Sequence, residues 1–197
     1  MTVIVLTVDQ RGSRSTPDLV ADAVAALADL PLRLPFERTV GDEFQGVLDQ
    51  PSALPRAVER LLRVGAWHIG LGIGDVDEPV PATARAGRGP AYVHARNAVT
   101  AAKNSPWHLR VSGDDDTGRD LESVLWLWAA VLDRRTDKGW EVTDLVDQGL
   151  SYDEAGKRLG ISQSAVSQRA QAAGLVEGRR AREVVTHLAA RLLGKDD

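Results

Sequence analysis

The sequence predicts an α+β chain in two parts: an antiparallel sheet layered with helices over residues 1–112, then an all-α part over 120–197. Three observations predict it. Apolar runs of strand length alternate with helical periods through the first part. An acidic, glycine-flanked stretch poor in apolar residues, 113–119, interrupts the composition and reads as a linker. Beyond it every apolar pattern has helical period, and two short helical patterns there flank a glycine turn.

The bulk numbers agree. A chain of 197 residues with 43% apolar content buries a full core and accommodates one medium and one small domain. The absence of cysteine excludes a disulfide framework, a thiol nucleophile and a thiolate zinc site, and suits a reducing cytoplasm. The apolar run 3–8 is too short to span a bilayer and lacks the basic leader of an export signal, so a soluble, cytoplasmic protein is expected.

Element by element, the patterns give a strand at 3–8, a helix at 17–30, a hairpin at 34–48, a helix at 54–64, a strand at 67–73, a helix at 90–104 and a strand at 109–112. The order is βαββαβ with a further helix and strand, and a sheet covered on one side by helices is its economical arrangement. The helix at 120–133 is apolar around most of its circumference, with Leu121, Val124, Leu125, Trp126, Leu127, Trp128, Val131 and Leu132. It must be buried, either between the two parts of the chain or against a second copy. Helices at 140–148 and 180–193 flank the glycine-turn pair.

That pair, 150–174, is the most informative stretch. Ser151 is placed to cap a helix that runs to Leu159, with Asp153 and Glu154 in its first turn where acids suit the helix dipole. Gly160 breaks it, Ile161 plugs the crossing, Ser162 caps a second helix over 163–173, and Gly174 ends that one. Ala155, Gly156, Leu159, Ile161, Val166 and Ala170 face inward in such a helix-turn-helix. Gln163, Ser164, Ser167, Gln168 and Gln171 face outward, carry no carboxylate, and are side chains that read base edges of double-stranded DNA. From 155 to 195 eight basic residues, Arg179 and Arg180 among them, stand against two acidic ones, enough for phosphate contacts on a chain whose overall net charge is −4.

The first part carries acids at its strand ends. Asp9-Gln10-Arg11-Gly12 closes the first strand and Arg38-Thr39-Val40-Gly41-Asp42-Glu43 sits in the hairpin, so adjacent strands would bring Asp9 and Asp42 together as oxygen ligands for Mg²⁺ or Mn²⁺ with a nucleotide. Arg96 and Lys103, seven apart on one helix face, would reach phosphate oxygens.

Asp9 with Gly12, Gly41-Asp42, the Gly-rich strand Ile69-Gly70-Leu71-Gly72-Ile73-Gly74, and the helix with Tyr92 and Arg96 together resemble class III nucleotidyl cyclases, and Gly41-Asp42-Glu43-Phe44 resembles the diguanylate cyclase signature. The resemblance implies a ferredoxin-like, cyclase-like domain with Asp9 and Asp42 on metal, Arg38 at the base-selecting position, and Arg96 at the place of a catalytic Arg; were it an enzyme, Asp9, Asp42 and Arg96 would be its catalytic residues. Tyr92 stands where those enzymes carry a catalytic Asn, which implies a degenerate domain. Over residues 2–174 the chain resembles the SatD family of bacterial proteins, in which such motifs and a C-terminal helix-turn-helix occur together. Three functions stay open: a homodimeric DNA-binding regulator with a nucleotide-sensing or dimerising domain, a metal-dependent nucleotidyl cyclase with a DNA-binding appendage, and an interaction module with vestigial acids.

Overall fold

The computed structural model describes residues 1–113 and 116–195. Among these the chain forms five strands and eight α-helices. Asp114 and Asp115, the middle of the expected linker, lie outside the described residues.

Strand β1 (Thr2–Gln10) is central in a sheet of order β2-β3-β1-β4-β5, where β2 is Leu34–Arg38, β3 Glu43–Leu48, β4 Trp67–Asp75 and β5 Leu109–Ser112. A central strand is covered on both faces, which is why β1 reads as a nearly continuous apolar run. Neighbours β2–β3, β3–β1 and β1–β4 are antiparallel. Strand β5 departs from the antiparallel expectation: it pairs parallel with β4, Ile69 opposite Leu109 and Gly72 opposite Ser112. Helix α3 (Pro90–Ala102) lies between these strands in sequence and carries the chain back along the sheet, so β5 re-enters in the direction of β4.

The same helix corrects a second expectation, that helices cover one side only. Alternation along β4 puts Trp67, Ile69, Leu71 and Ile73 on one face and Gly70 and Gly72 on the other. Helix α3 rests its backbone directly on those glycines: a Cβ at Gly70 would stand 2.2 Å from the Val99 nitrogen, and one at Gly72 2.1 Å from that of Ala95. Ala91, Ala95, Ala98 and Ala102 line the buried side of α3, the small residues such an approach demands.

On the opposite face Ile4, Leu6 and Val8 join Ile69, Leu71, Ile73 and Phe44 beneath α1 (Val20–Ala26) and α2 (Ala53–Val64). Helix α1 is shorter than the pattern 17–30 suggests, because the Asp18 carboxylate accepts from the Val20 amide at 2.9 Å and fixes its start there. The cluster then runs without interruption into α4 (Thr117–Asp133) and α8 (Leu175–Leu192), through Leu121, Leu125, Trp128, Leu132, Val185 and Ala189. The apolar circumference of α4 is thus largely covered from within the chain. Helix α8 starts at Leu175 rather than near residue 180, because Leu175 and Gly178 are already buried, Gly178 beside Arg135 and Trp128. A smaller cluster of Val142, Val146, Ala155, Val166, Ala170 and Leu175 unites α5 (Asp137–Asp147), α6 (Tyr152–Leu159) and α7 (Gln163–Ala172) with the start of α8.

Candidate functional sites

Helices α6 and α7 are set by their caps. Ser151 Oγ accepts from the Glu154 amide while the Glu154 carboxylate accepts from the Ser151 hydroxyl at 2.7 Å and from its amide at 2.8 Å, a reciprocal capping box in which these two donors, the hydroxyl first, hold the Glu154 carboxyl below its ordinary range. Gly160 takes φ +68° to end α6, and Ser162 Oγ accepts from the Ala165 amide at 3.2 Å to start α7. The turn folds back tightly: a Cβ on Gly156 would stand 2.8 Å from the Ile161 carbonyl oxygen. Val166 and Ala170 are buried, whereas Gln163, Ser164, Ser167, Gln168 and Gln171 are all exposed on the other side of α7.

The nearby cations divide. The Arg180 side chain is 77% exposed and, among the described residues, pairs with Glu183, one turn along the same helix. Arg179, expected as a phosphate contact, is exposed and donates to the Asp147 carboxylate and to the Val146 carbonyl, both at 3.1 Å. Lys157 pairs with Asp153 at 2.6 Å.

At the sheet end, Asp9 lies opposite Glu43 on β3 and His68 on β4. Asp42 occupies the β2–β3 turn, where its carbonyl accepts from the Gln10 amide at 3.1 Å. The structure therefore brings the Asp42 backbone to the end of β1, but the side chain paired with Asp9 across the strands is Glu43. Lys103 is 3.5 Å from the Asp9 carboxylate, so its ammonium neutralises that acid. Arg38 clasps both Asp18 oxygens, at 2.8 and 2.5 Å, and donates to the Gly41 carbonyl at 2.7 Å, which pins the hairpin turn to the loop before α1. Of the three cations expected on phosphate, only Arg96 is exposed and free of any carboxylate among the described residues; it lies where α3 faces β3 and the segment 85–89. Among the described residues no group of three or more His, Asp or Glu is arranged to hold a metal ion.

Several participants escape sequence reasoning. Gln10, almost fully buried, donates to Thr16 Oγ1 and the Pro17 carbonyl and accepts from the Leu19 amide, which shapes the whole loop after β1. His68 and His108 meet edge to face at 5.0 Å, each with a buried Nδ1 lacking a hydrogen-bond partner among the described residues. Trp107 and His108 both have positive φ, +57° and +50°, a strained pair beside this end of the sheet. Arg85 and Arg88 stand with Arg96 around one cavity; an arginine between glycines ahead of a helix, Gly87-Arg88-Gly89-Pro90, is the sequence signal that points to them.

No protein-family model, curated protein or solved structure matches this chain. Function rests on geometry and chemistry alone.

Proposed function

We propose that the chain is a DNA-binding transcriptional regulator of the SatD type, cytoplasmic and homodimeric, in which α6 and α7 form a helix-turn-helix. The observation that carries this is the outward face of α7: three glutamines and two serines in solvent, no carboxylate among them, on a helix locked from behind by Val166 and Ala170. Glutamine bonds adenine bidentately and serine serves either partner. Two such helices related by a two-fold axis read half-sites about one DNA turn apart, roughly 34 Å, which a monomer cannot do.

In this proposal the sheet is a degenerate nucleotidyl-cyclase-like domain that senses a ligand or supports dimerisation. Its first four strands, ordered β2-β3-β1-β4 with antiparallel neighbours, support a ferredoxin-like assignment. Asp9 and Asp42 fit Mg²⁺ or Mn²⁺ only together with a phosphate ligand, since two carboxylates and waters leave the shell to be completed and Lys103 already sits on Asp9.

Gel-shift titration against genomic fragments tests the regulator, with a salt-sensitive complex expected; no duplex binding at low salt overturns it. Light scattering tests the dimer, and a monomer mass at every concentration overturns that. The cyclase alternative is favoured by one observation, the hydrogen bond that keeps Asp42 beside the end of β1. With Tyr92 in place of the Asn that the resemblance requires, incubation with ATP or GTP and Mn²⁺ is expected to give no cyclic product. Product lost in both Asp9→Asn and Asp42→Asn would make the enzyme reading the right one.

A further inference from the structure

We propose that the cavity between α3 and the segment 85–89 binds the polyphosphate group of a small ligand, held by Arg85, Arg88 and Arg96. It rests on the sensor half of the function proposed above and not on DNA binding.

The charge distribution makes the first case. A chain of net charge −4 gathers three guanidiniums around one cavity of about 280 Å³. Many arginines of the structure pair with a carboxylate, among them Arg38 with Asp18, Arg63 with Asp144 and Arg182 with Glu59. Around this cavity three guanidiniums meet with little such pairing. Arg88 and Arg96 have no carboxylate partner among the described residues, and Arg85 touches one only loosely, its Nε 3.9 Å from Glu37. Glu37 accepts more firmly from the Arg85 backbone amide, at 2.8 Å, so it fixes the loop and leaves the three side chains with excess positive charge. Guanidiniums offer planar pairs of donors that match phosphate oxygens.

The walls make the second. Gln45, 7% exposed, lines the cavity; one N–H of its amide is given to Thr7 Oγ1 at 2.6 Å, which leaves the amide a second donor. Tyr92 lies so close to Gly87 that a Cβ there would fall 1.9 Å from the ring, so the glycine permits the position of this planar wall. Ligand pockets that enclose a whole drug-sized molecule run to roughly 300–1,000 Å³. At about 280 Å³ this one suits the charged end of a ligand, with the remainder lying along the neighbouring surface.

The site differs from the one the sequence suggests. Arg38 and Lys103 are engaged with Asp18 and Asp9, and Arg96 finds its companions in the segment before its own helix.

Calorimetric titration of the full chain without divalent cations, using tripolyphosphate, ATP and adenosine, tests the proposal. Tripolyphosphate and ATP are expected to bind and adenosine not. Arg88→Ala and Arg96→Ala should each weaken both at least tenfold while the melting temperature stays that of the parent; Arg88→Gln and Arg96→Gln replace them if it does not. Failure of tripolyphosphate and ATP to bind, wild-type affinity in both arginine variants, or adenosine binding as well as ATP overturns it. A gel shift on the same preparation separates this result from the DNA-binding proposal, since either outcome can occur with the other absent.

Discussion

Arg182 of α8 holds Glu59 of α2 with two prongs across 123 residues of sequence, Nε to Oε2 at 2.8 Å and Nη2 to Oε1 at 3.0 Å. Glu59 also receives Nη1 of Arg135 at 3.4 Å, and that arginine's side chain is fully buried. Arg182 reaches on to Asp147 at the end of α5, 2.7 Å away. One charge cluster therefore ties the helix over the sheet to the helices that lead into and out of the α6–α7 pair.

Glu59→Ala leaves buried Arg135 without its carboxylate, and removing one partner of a buried pair costs about 3–5 kcal/mol. The low end is expected, because Arg135 keeps a 2.8 Å bond to the Ala173 carbonyl. Urea denaturation measures it. The shared core predicts one transition for the parent protein, and two resolved transitions would show that the halves unfold independently.

Gly72→Ala drives a methyl into the backbone of α3, where neither wall can yield cheaply. Overpacking costs typically about 1–3 kcal/mol and the backbone contact places this variant at or beyond the upper end. A loss of unfolding free energy in urea below about 1 kcal/mol would mean that α3 is not seated as described.

For DNA, Gln163→Ala and Gln168→Ala should each weaken binding to the specific site by about 1–3 kcal/mol and leave non-specific binding unchanged. Arg180→Ala should weaken every sequence and reduce the salt slope by about one. Arg179→Ala is expected to act through stability, since its partners are Asp147 and Val146. Titrations at two salt concentrations distinguish these behaviours, and identical slopes for Arg180→Ala and parent would remove Arg180 from the interface.

His68 is pushed below its ordinary value of 6.5 by burial and by neighbouring His108, with Lys103 and Arg11 adding to this and Asp9 opposing it. A histidine that resists protonation in the folded state costs nothing while both states are neutral. Stability is therefore complete above about pH 7 and falls as pH drops through 6.5 toward the lower folded value. Denaturation midpoints at pH 7.5 and 5.5 should differ less in His68→Gln than in the parent; an equal drop would assign the acid sensitivity to other groups.

Lys103 already sits on Asp9, and a metal held by Asp9 and Asp42 needs phosphate oxygens to complete its shell, so a divalent metal with a triphosphate should raise the melting temperature by more than the sum of the two alone. Asp42→Asn should abolish the excess. Strictly additive shifts in the parent would leave Asp42 without a metal role.

Local instructions were legible in the sequence: the Ser151 and Ser162 caps, the Gly160 break, the inward Val166 and Ala170, and the outward glutamines follow from spacing alone. So does β1 as a strand, though not the cover that α3 gives its second face. What escaped is non-local. Nothing in residues 109–112 says that β5 runs parallel, since that depends on α3 carrying the chain back along the sheet before it. The glycines of β4 signal a close approach without saying what approaches. Arg38 looked available for a ligand because Asp18, its partner, is 20 residues away in an element of different type. The partners of Arg179 and Lys103, Asp147 and Asp9, are hidden from the sequence for the same reason, as a charge's role depends on the opposite charge the fold delivers to it.

Trp140 lies between two guanidiniums, that of Arg63 on α2 at 4.3 Å and that of Arg135 at 4.4 Å from its ring. Both charges belong to elements outside the helix that carries the indole, and Arg63 is anchored in turn to Asp144 of that helix at 2.9 Å. An indole's emission shifts with the electric field across it, and this field is set by how α2 stands against α5. The difference between parent and Trp140→Phe fluorescence isolates that one ring from the other four tryptophans. The protein thus carries its own optical gauge of the angle between its sheet and its C-terminal helices, readable in solution without a label while ligand or DNA is added.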